Sequence, residues 1–139
     1  MNAVTPNSPR SAGPRLTVAD AMDLCDYQIT DDRTAEQADD VLRGIHADYL
    51  PVRTHDGRCE GLVTRAGLRP FLHPSGSAEQ TVGDTAHQRG PFAWPALGLV
   101  LAIRVMDIMR WTVWPVIDDD GYLLGVLTAD RAVAIASSA

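Results

Sequence analysis

The chain is written twice. Displaced by 64 positions against itself, "TVADAM" at 17–22 falls on "TVGDTA" at 81–86, and "YLPVRTHDGRCEGLVT" at 49–64 falls on "VWPVIDDDGYLLGVLT" at 113–128, with no gap between. Thr17, Val18, Asp20, Ala38, Val41, Pro51, Val52, Asp56, Gly57, Gly61 and Thr64 all meet an identical residue in the second repeat. Ungapped agreement at both ends of so long a stretch marks an internal duplication, in a chain long enough for one compact domain or two small halves sharing a core.

Each repeat reads in the same order. "TV-D" opens a short helix that Thr can cap. In the first repeat "DYQIT" reads as a short strand. "TAEQADDVLRGI" places Ala35, Ala38, Val41, Leu42 and Ile45 at helical spacing, and Thr34 with Gln37 forms a capping box. "YLPV" and "CEGLVT" are strands joined by "THDG", whose Asp-Gly is a strong hairpin signal. A brief helix from Ala66 to Leu72, shortened or bent by Pro70, closes the repeat. The predicted organisation is a disordered tail over 1–15, a first motif over 16–72, a linker over 73–80 and a second motif over 81–139.

At 139 residues the chain can bury a core without staples. Its net charge of −6, with arginine supplying all 12 basic residues, argues against nucleic acid, whose binding needs basic groups to displace counterions. It argues equally against anionic membrane surfaces. Cys25 and Cys59 are too few for a disulfide framework. "MNAVTPNSPRSAGPR" lacks the apolar core of a signal peptide. The apolar run "ALGLVLAIRVMDIM" is short for a bilayer and carries Arg104 and Asp107. A cytoplasmic location is the expectation.

Asp118, Asp119 and Asp120 resemble a metal knot but stand where the first repeat has Thr54, His55 and Asp56. Only Asp-Gly is common to the two, so the shared task is to bend the chain. A calcium loop needs acidic residues at alternate positions and a later glutamate, and this segment has neither. Four scattered histidines (46, 55, 73 and 87) and two cysteines form no CxxC or HxxxH pattern, so no metal site is predicted, though His55 and Cys59 flank one hairpin turn. No nucleophile elbow, phosphate loop or paired-carboxylate motif occurs, and an enzyme is not expected.

The repeat order and the "PV…DG…G-h-h-T" signature, present twice, resemble the CBS domain, named for cystathionine β-synthase, a tandem pair of which forms a Bateman module. The resemblance covers about residues 16 to 136. It implies an α/β (α+β) fold of two βαββα motifs about a pseudo-two-fold axis, in a stand-alone regulatory module that requires no cofactor. It further implies sensing of an adenine nucleotide (AMP, ADP, ATP) or S-adenosylmethionine, signalling to a protein partner, and dimerisation.

The resemblance places ligands in two clefts between the repeats. The first would combine Gln28, Ile29, Thr30 and the small Ala47 with Thr128, Asp130 and Arg131, whose guanidinium suits a phosphate. The second would combine Phe92 and Ala93 with Thr64 and Gly67, with Trp111 in place of Ala47 either stacking on a ligand or, as the simpler reading, plugging the pocket. Gly61–Thr64 and Gly125–Thr128 follow the family pattern, but Gly67 and Arg131 stand where it has a ribose-binding Asp, and Asp130 is one position early. A non-sensing dimeric scaffold with filled clefts is the alternative reading.

The two long helices differ outside the core. Ala35, Ala38, Val41, Leu42 and Ile45 become Leu99, Ala102, Val105, Met106 and Met109, all core-like. Glu36, Gln37, Asp39 and Gly44 become Val100, Leu101, Ile103 and Ile108. A helix apolar nearly all round should be buried nearly all round, so Val100, Leu101, Ile103 and Ile108 are the expected homodimer interface. The first repeat, with nine acidic residues and two arginines between Asp20 and Asp48, presents a solvated face.

Overall fold

The computed structural model describes residues 15–72 and 79–138. The tail expected over 1–15, except Arg15, and residues 73–78 of the expected 73–80 linker, His73 among them, lie outside the described residues. The elements are α1 (Val18–Ala21), β1 (Ile29–Thr30), α2 (Ala35–Gly44), β2 (Tyr49–Arg53), β3 (Cys59–Thr64) and α3 (Arg65–Leu72) in the first repeat. The second supplies α4 (Val82–Thr85), α5 (Leu99–Met109), β4 (Val113–Ile117), β5 (Leu123–Thr128) and α6 (Ala129–Ser138). Helix and strand mix as the α+β expectation required.

The duplication holds at the level of hydrogen-bond register. In β2–β3, Tyr49 faces Thr64 and Val52 faces Gly61, with a bulge between Val52 and Arg53. In β4–β5, Val113 faces Thr128 and Val116 faces Gly125, with a bulge between Val116 and Ile117. Both hairpins turn through a glycine at positive φ, Gly57 at 95° and Gly121 at 93°. Thr54 and Asp118, dissimilar in sequence, close these turns alike. Thr54 Oγ1 accepts from the Arg58 amide at 3.2 Å, and Asp118 Oδ1 accepts from the amides of Asp120 (2.9 Å) and Tyr122 (3.0 Å). The acidic knot is a turn.

The first strand is shorter than "DYQIT" suggested. Only Ile29–Thr30 joins the sheet, parallel to β2. Its counterpart shrinks to one parallel bridge, Ala93 to Val116. Pro91 and Pro95 flank that bridge, and neither has an N–H to extend a ladder.

Helix caps form as read. Thr34 Oγ1 accepts from the Gln37 amide at 3.1 Å, and Gln37 Oε1 accepts from the Thr34 amide at 3.0 Å. Asp20 Oδ2 accepts from the Thr17 amide at 2.8 Å. Two positions depart from the expected core. Val41 and Met109 are exposed, at the edge of each helix stripe, whereas Asp39 is buried and held by Arg43 at 2.5 Å. Ile103, expected to face outward, is half-buried against the core of the second repeat.

The repeats are not independent, because each sends its first helix into the other. Val18 and Ala21 of α1 sit in the core of Leu99, Ala102, Met106, Trp114 and Leu127. Val82 and Ala86 sit in the core of Ile29, Leu42, Leu50, Val52 and Val63. The backbone repeats the exchange symmetrically. Val18 N donates to Leu97 O (2.8 Å) and Val82 N to Arg33 O (2.6 Å), while Asp23 pairs with Val126 and His87 with Leu62. Removing either first helix would open a core in the opposite repeat, so the two halves must fold as one unit.

Candidate functional site

After α1 the chain turns at Asp23 and runs over the second repeat before reaching β1. Arg131, in the first turns of α6, holds this crossing. Its Nε donates to Ala21 O at 2.8 Å and stands 3.3 Å from Asp23 Oδ1. At the equivalent crossing of the other repeat, Gly67 replaces Arg131 and His87 replaces Asp23. The imidazole lies so close that a Cβ at Gly67 would come within 2.8 Å of His87 Cε1. Burial there holds the His87 pKa below its ordinary 6.5. Thr64 Oγ1 accepts from the Gly67 amide at 3.0 Å and so caps α3.

The residues of the first predicted cleft divide between two cavities. Ala47 lines one of about 350 Å³, whose walls are Leu24–Tyr27 on one side and Ile45–Leu50 on the other. Gln28, Ile29 and Thr30 open instead onto a cavity of about 510 Å³ together with Arg33 and Arg53, and Thr30 Oγ1 donates to Asp32 at 2.7 Å. Thr128 ends β5 opposite Val113, and Asp130 is exposed at the start of α6. Thr128, Asp130 and Arg131 do not line the Ala47 cavity.

In the second predicted cleft, Trp111 is half-buried against the second core, its ring 5.6 Å from that of Trp114. Trp114 Nε1 donates to Pro91 O at 3.0 Å, and Gln88 Nε2 to Val113 O at 2.7 Å. Ala93 is fully buried in its bridge to β4 and Phe92 lies over Gly90. Thr64 and Gly67 are together under His87, as described above. The two repeats therefore differ where a ligand would sit, with space over Ala47 and an indole at its counterpart.

No family model matches this sequence, and no curated protein matches it. Solved structures do. The CBS domains of a transcriptional regulator from Streptococcus pneumoniae superpose with a TM-score of 0.73 at 20% identity, covering 86% of this chain and 98% of that one. CBSX2 in complex with AMP gives 0.78 at 23% identity, covering 88% and 97%. The CBS domain pair of protein MJ0100, in complex with 5′-methylthioadenosine and S-adenosyl-L-methionine, gives 0.75 at 16%, covering 90% and 98%. The fold is that of a CBS domain pair.

Within this CBS-pair fold, the residues that sequence reading missed are the carboxylates and rings beside Ala47. Asp26 and Tyr27 were read as the start of a strand, yet they leave the sheet and wall the cavity with Asp48 and Tyr49. Cys25 lines the same cavity, whereas Cys59 on β3 does not. Burial pushes the Cys59 thiol up to about 11 and raises that of Cys25, so both are protonated thiols near neutral pH. Among the described residues no group of three or more His, Cys, Asp or Glu side chains is placed to hold a metal ion. No helix among them is long and apolar enough to cross a membrane.

Proposed function

We propose that this CBS pair is a non-enzymatic regulatory module that senses one adenine-type ligand per chain in the cavity over Ala47 and signals to a protein partner. We place its action in the cytoplasm, without a nucleic-acid or membrane partner. The observation that carries the reading is the cavity of about 350 Å³ over Ala47, at whose counterpart in the second repeat the Trp111 indole lines a differently built groove of about 620 Å³. The former volume is at the lower end of small-molecule sites.

The charge of the walls favours S-adenosylmethionine over AMP. Asp26, His46 and Asp48 line the cavity and no arginine does, the nearest ones, Arg65 and Arg69, lining the adjoining cavity beyond Asp48 and Tyr49, so a sulfonium and ammonium are better matched there than a phosphate. Tyr27 and Tyr49 also line the cavity, and an aromatic ring suits a cation. Arg131, which the sequence offered to a phosphate, is engaged by Ala21 O and Asp23.

The same arrangement supplies a route to a shape change. Leu24–Tyr27 continue from Asp23, which is anchored on Arg131 and on Val126 of the second repeat. A ligand between Leu24–Tyr27 and Ile45–Leu50 would bear on that anchor, and differential affinity for two positions of the segment is all that coupling requires. We also retain the dimer of the sequence reading, through the exposed face of α5.

A thermal-shift screen against AMP, ADP, ATP, S-adenosylmethionine and magnesium tests the reading. A ligand at 100 times its Kd adds about 2.7 kcal/mol, a shift of several degrees. S-adenosylmethionine should give that shift and Ala47→Trp should remove it. A shift with AMP alone would overturn the charge argument, and no shift with any of them would favour the scaffold.

A further inference from the structure

The cavity of about 510 Å³ beside β1 brings two arginines onto one space. Arg33 comes from the turn before α2 and Arg53 from the end of β2, with Gln28, Thr30 and Gln37 beside them. None of its lining residues is shared with the cavity over Ala47.

Among the described residues neither Arg33 nor Arg53 is in an ion pair. The carboxylates around them are engaged by other groups. Asp40, which also lines the cavity, is paired with Arg43 at 3.4 Å, and Asp32 accepts from Thr30 Oγ1 at 2.7 Å. Gln37 spends its Oε1 on the Thr34 amide, which leaves Nε2 to donate. Two like charges on one space repel until an anion lies between them.

Both arginines start from fixed backbone. Arg53 O accepts from the Asp31 amide at 2.9 Å, which extends the pairing of β1 with β2. Arg33 O accepts from the Val82 amide at 2.6 Å, at the start of α4 in the other repeat. The points from which the guanidiniums reach are therefore set by the fold.

The second repeat has no such pair. Displaced by 64 positions, Gln28, Arg33, Gln37 and Arg53 become Phe92, Leu97, Leu101 and Ile117, and Leu97 is buried in the core. Every donor is replaced by an apolar side chain, so the shared fold does not require donors here.

We propose that this cavity binds a small phosphomonoester, its phosphate held between Arg33 and Arg53 with Gln28 and Gln37 as amide donors. Planar guanidiniums match phosphate oxygens in pairs, and such charged hydrogen bonds are the strong ones. The volume falls within the range of small-molecule sites and leaves room for the esterified group. This site goes beyond the ligand reading above and does not rest on it.

Isothermal titration of the full chain with glycerol 3-phosphate, inorganic phosphate and succinate, at constant ionic strength, tests the proposal. Glycerol 3-phosphate should bind saturably at one per chain, and inorganic phosphate more weakly at the same arginines. Arg33→Gln and Arg53→Gln should each weaken the ester about tenfold or more, as loss of a hydrogen bond to a charged group does. Ala47→Trp and Arg69→Gln, which alter the other cavities, should leave its affinity unchanged. Arg33 is exposed, so circular dichroism melts should show Arg33→Gln folded.

Ester binding that survives both Arg33→Gln and Arg53→Gln, or that is lost equally in Arg69→Gln, would put the phosphate elsewhere and overturn the assignment. Saturable binding of succinate but of neither phosphate would overturn the choice of a phosphate. No saturable binding of any of the three would overturn the site, while S-adenosylmethionine binding, measured separately, would stand or fall on Ala47→Trp.

Discussion

At Gly61 and Gly125 the absence of one methyl group lets the repeats interlock. A Cβ at Gly61 would lie 2.8 Å from His87 O, and one at Gly125 would strike Asp23 O. These are the two places where a leading segment of one repeat crosses the hairpin of the other. Gly61→Ala or Gly125→Ala should destabilise the fold by about 1–3 kcal/mol through forced backbone displacement, read as a lowered urea midpoint. Gly44, the last residue of α2 and with open space at its Cβ, should behave oppositely. Gly44→Ala is expected to stabilise by about 0.5 kcal/mol or less, a part of the interior helix-propensity difference. His87 gives a pH test at the same scale. Its folded pKa lies below 6.5 because the imidazole is buried, so between that lowered value and 6.5 the unfolded chain binds more protons here. Stability from this group is present above pH 6.5 and lost as pH falls through the window. Replacing His87 by Gln should flatten that part of the stability–pH curve, and an unchanged slope would count against the burial.

Among the elements, helix α2 was legible in the sequence because its signals are local. The Thr34–Gln37 box and the alanines at helical spacing needed no knowledge of the partner surface, and Thr34→Ala should lower stability by about 1 kcal/mol. The two hairpins were legible for the same reason, down to the Asp-Gly turns. The first strand was not, because its extent depends on how far the leading segment stays beside β2. Asp26 and Tyr27 have strand-like neighbours but leave the sheet to cover Ala47. In the second repeat, Pro91 and Pro95 were in view, yet their effect on the strand shows only once Ala93 is seen to pair alone. The exposed Val41 and Met109 show that apolar spacing over-counts a core stripe at its edges. Asp39 shows the converse, a carboxylate brought to the core boundary by Arg43.

Across the whole molecule, the duplication gave the architecture and the departures from it carry the function. The exchange of first helices was invisible in the sequence, since nothing local distinguishes a helix that packs on its own repeat from one that crosses. Arg131 was singled out for a phosphate on the strength of its position, and the structure instead ties it to Ala21 and Asp23 across the repeat boundary. Arg131→Ala should therefore loosen the leading segment of the first repeat, seen as faster hydrogen exchange at the Asp23 and Val126 amides, which pair with one another. Ala47 against Trp111 remains the most informative pair, because it makes two equivalent clefts unequal. The central claim is that one cleft per chain is open and suits a cationic adenosine derivative, and isothermal titration with S-adenosylmethionine tests it most directly. The account predicts saturable binding of one ligand per chain, lost in Ala47→Trp. Two ligands per chain, or one that survives Ala47→Trp, would contradict it.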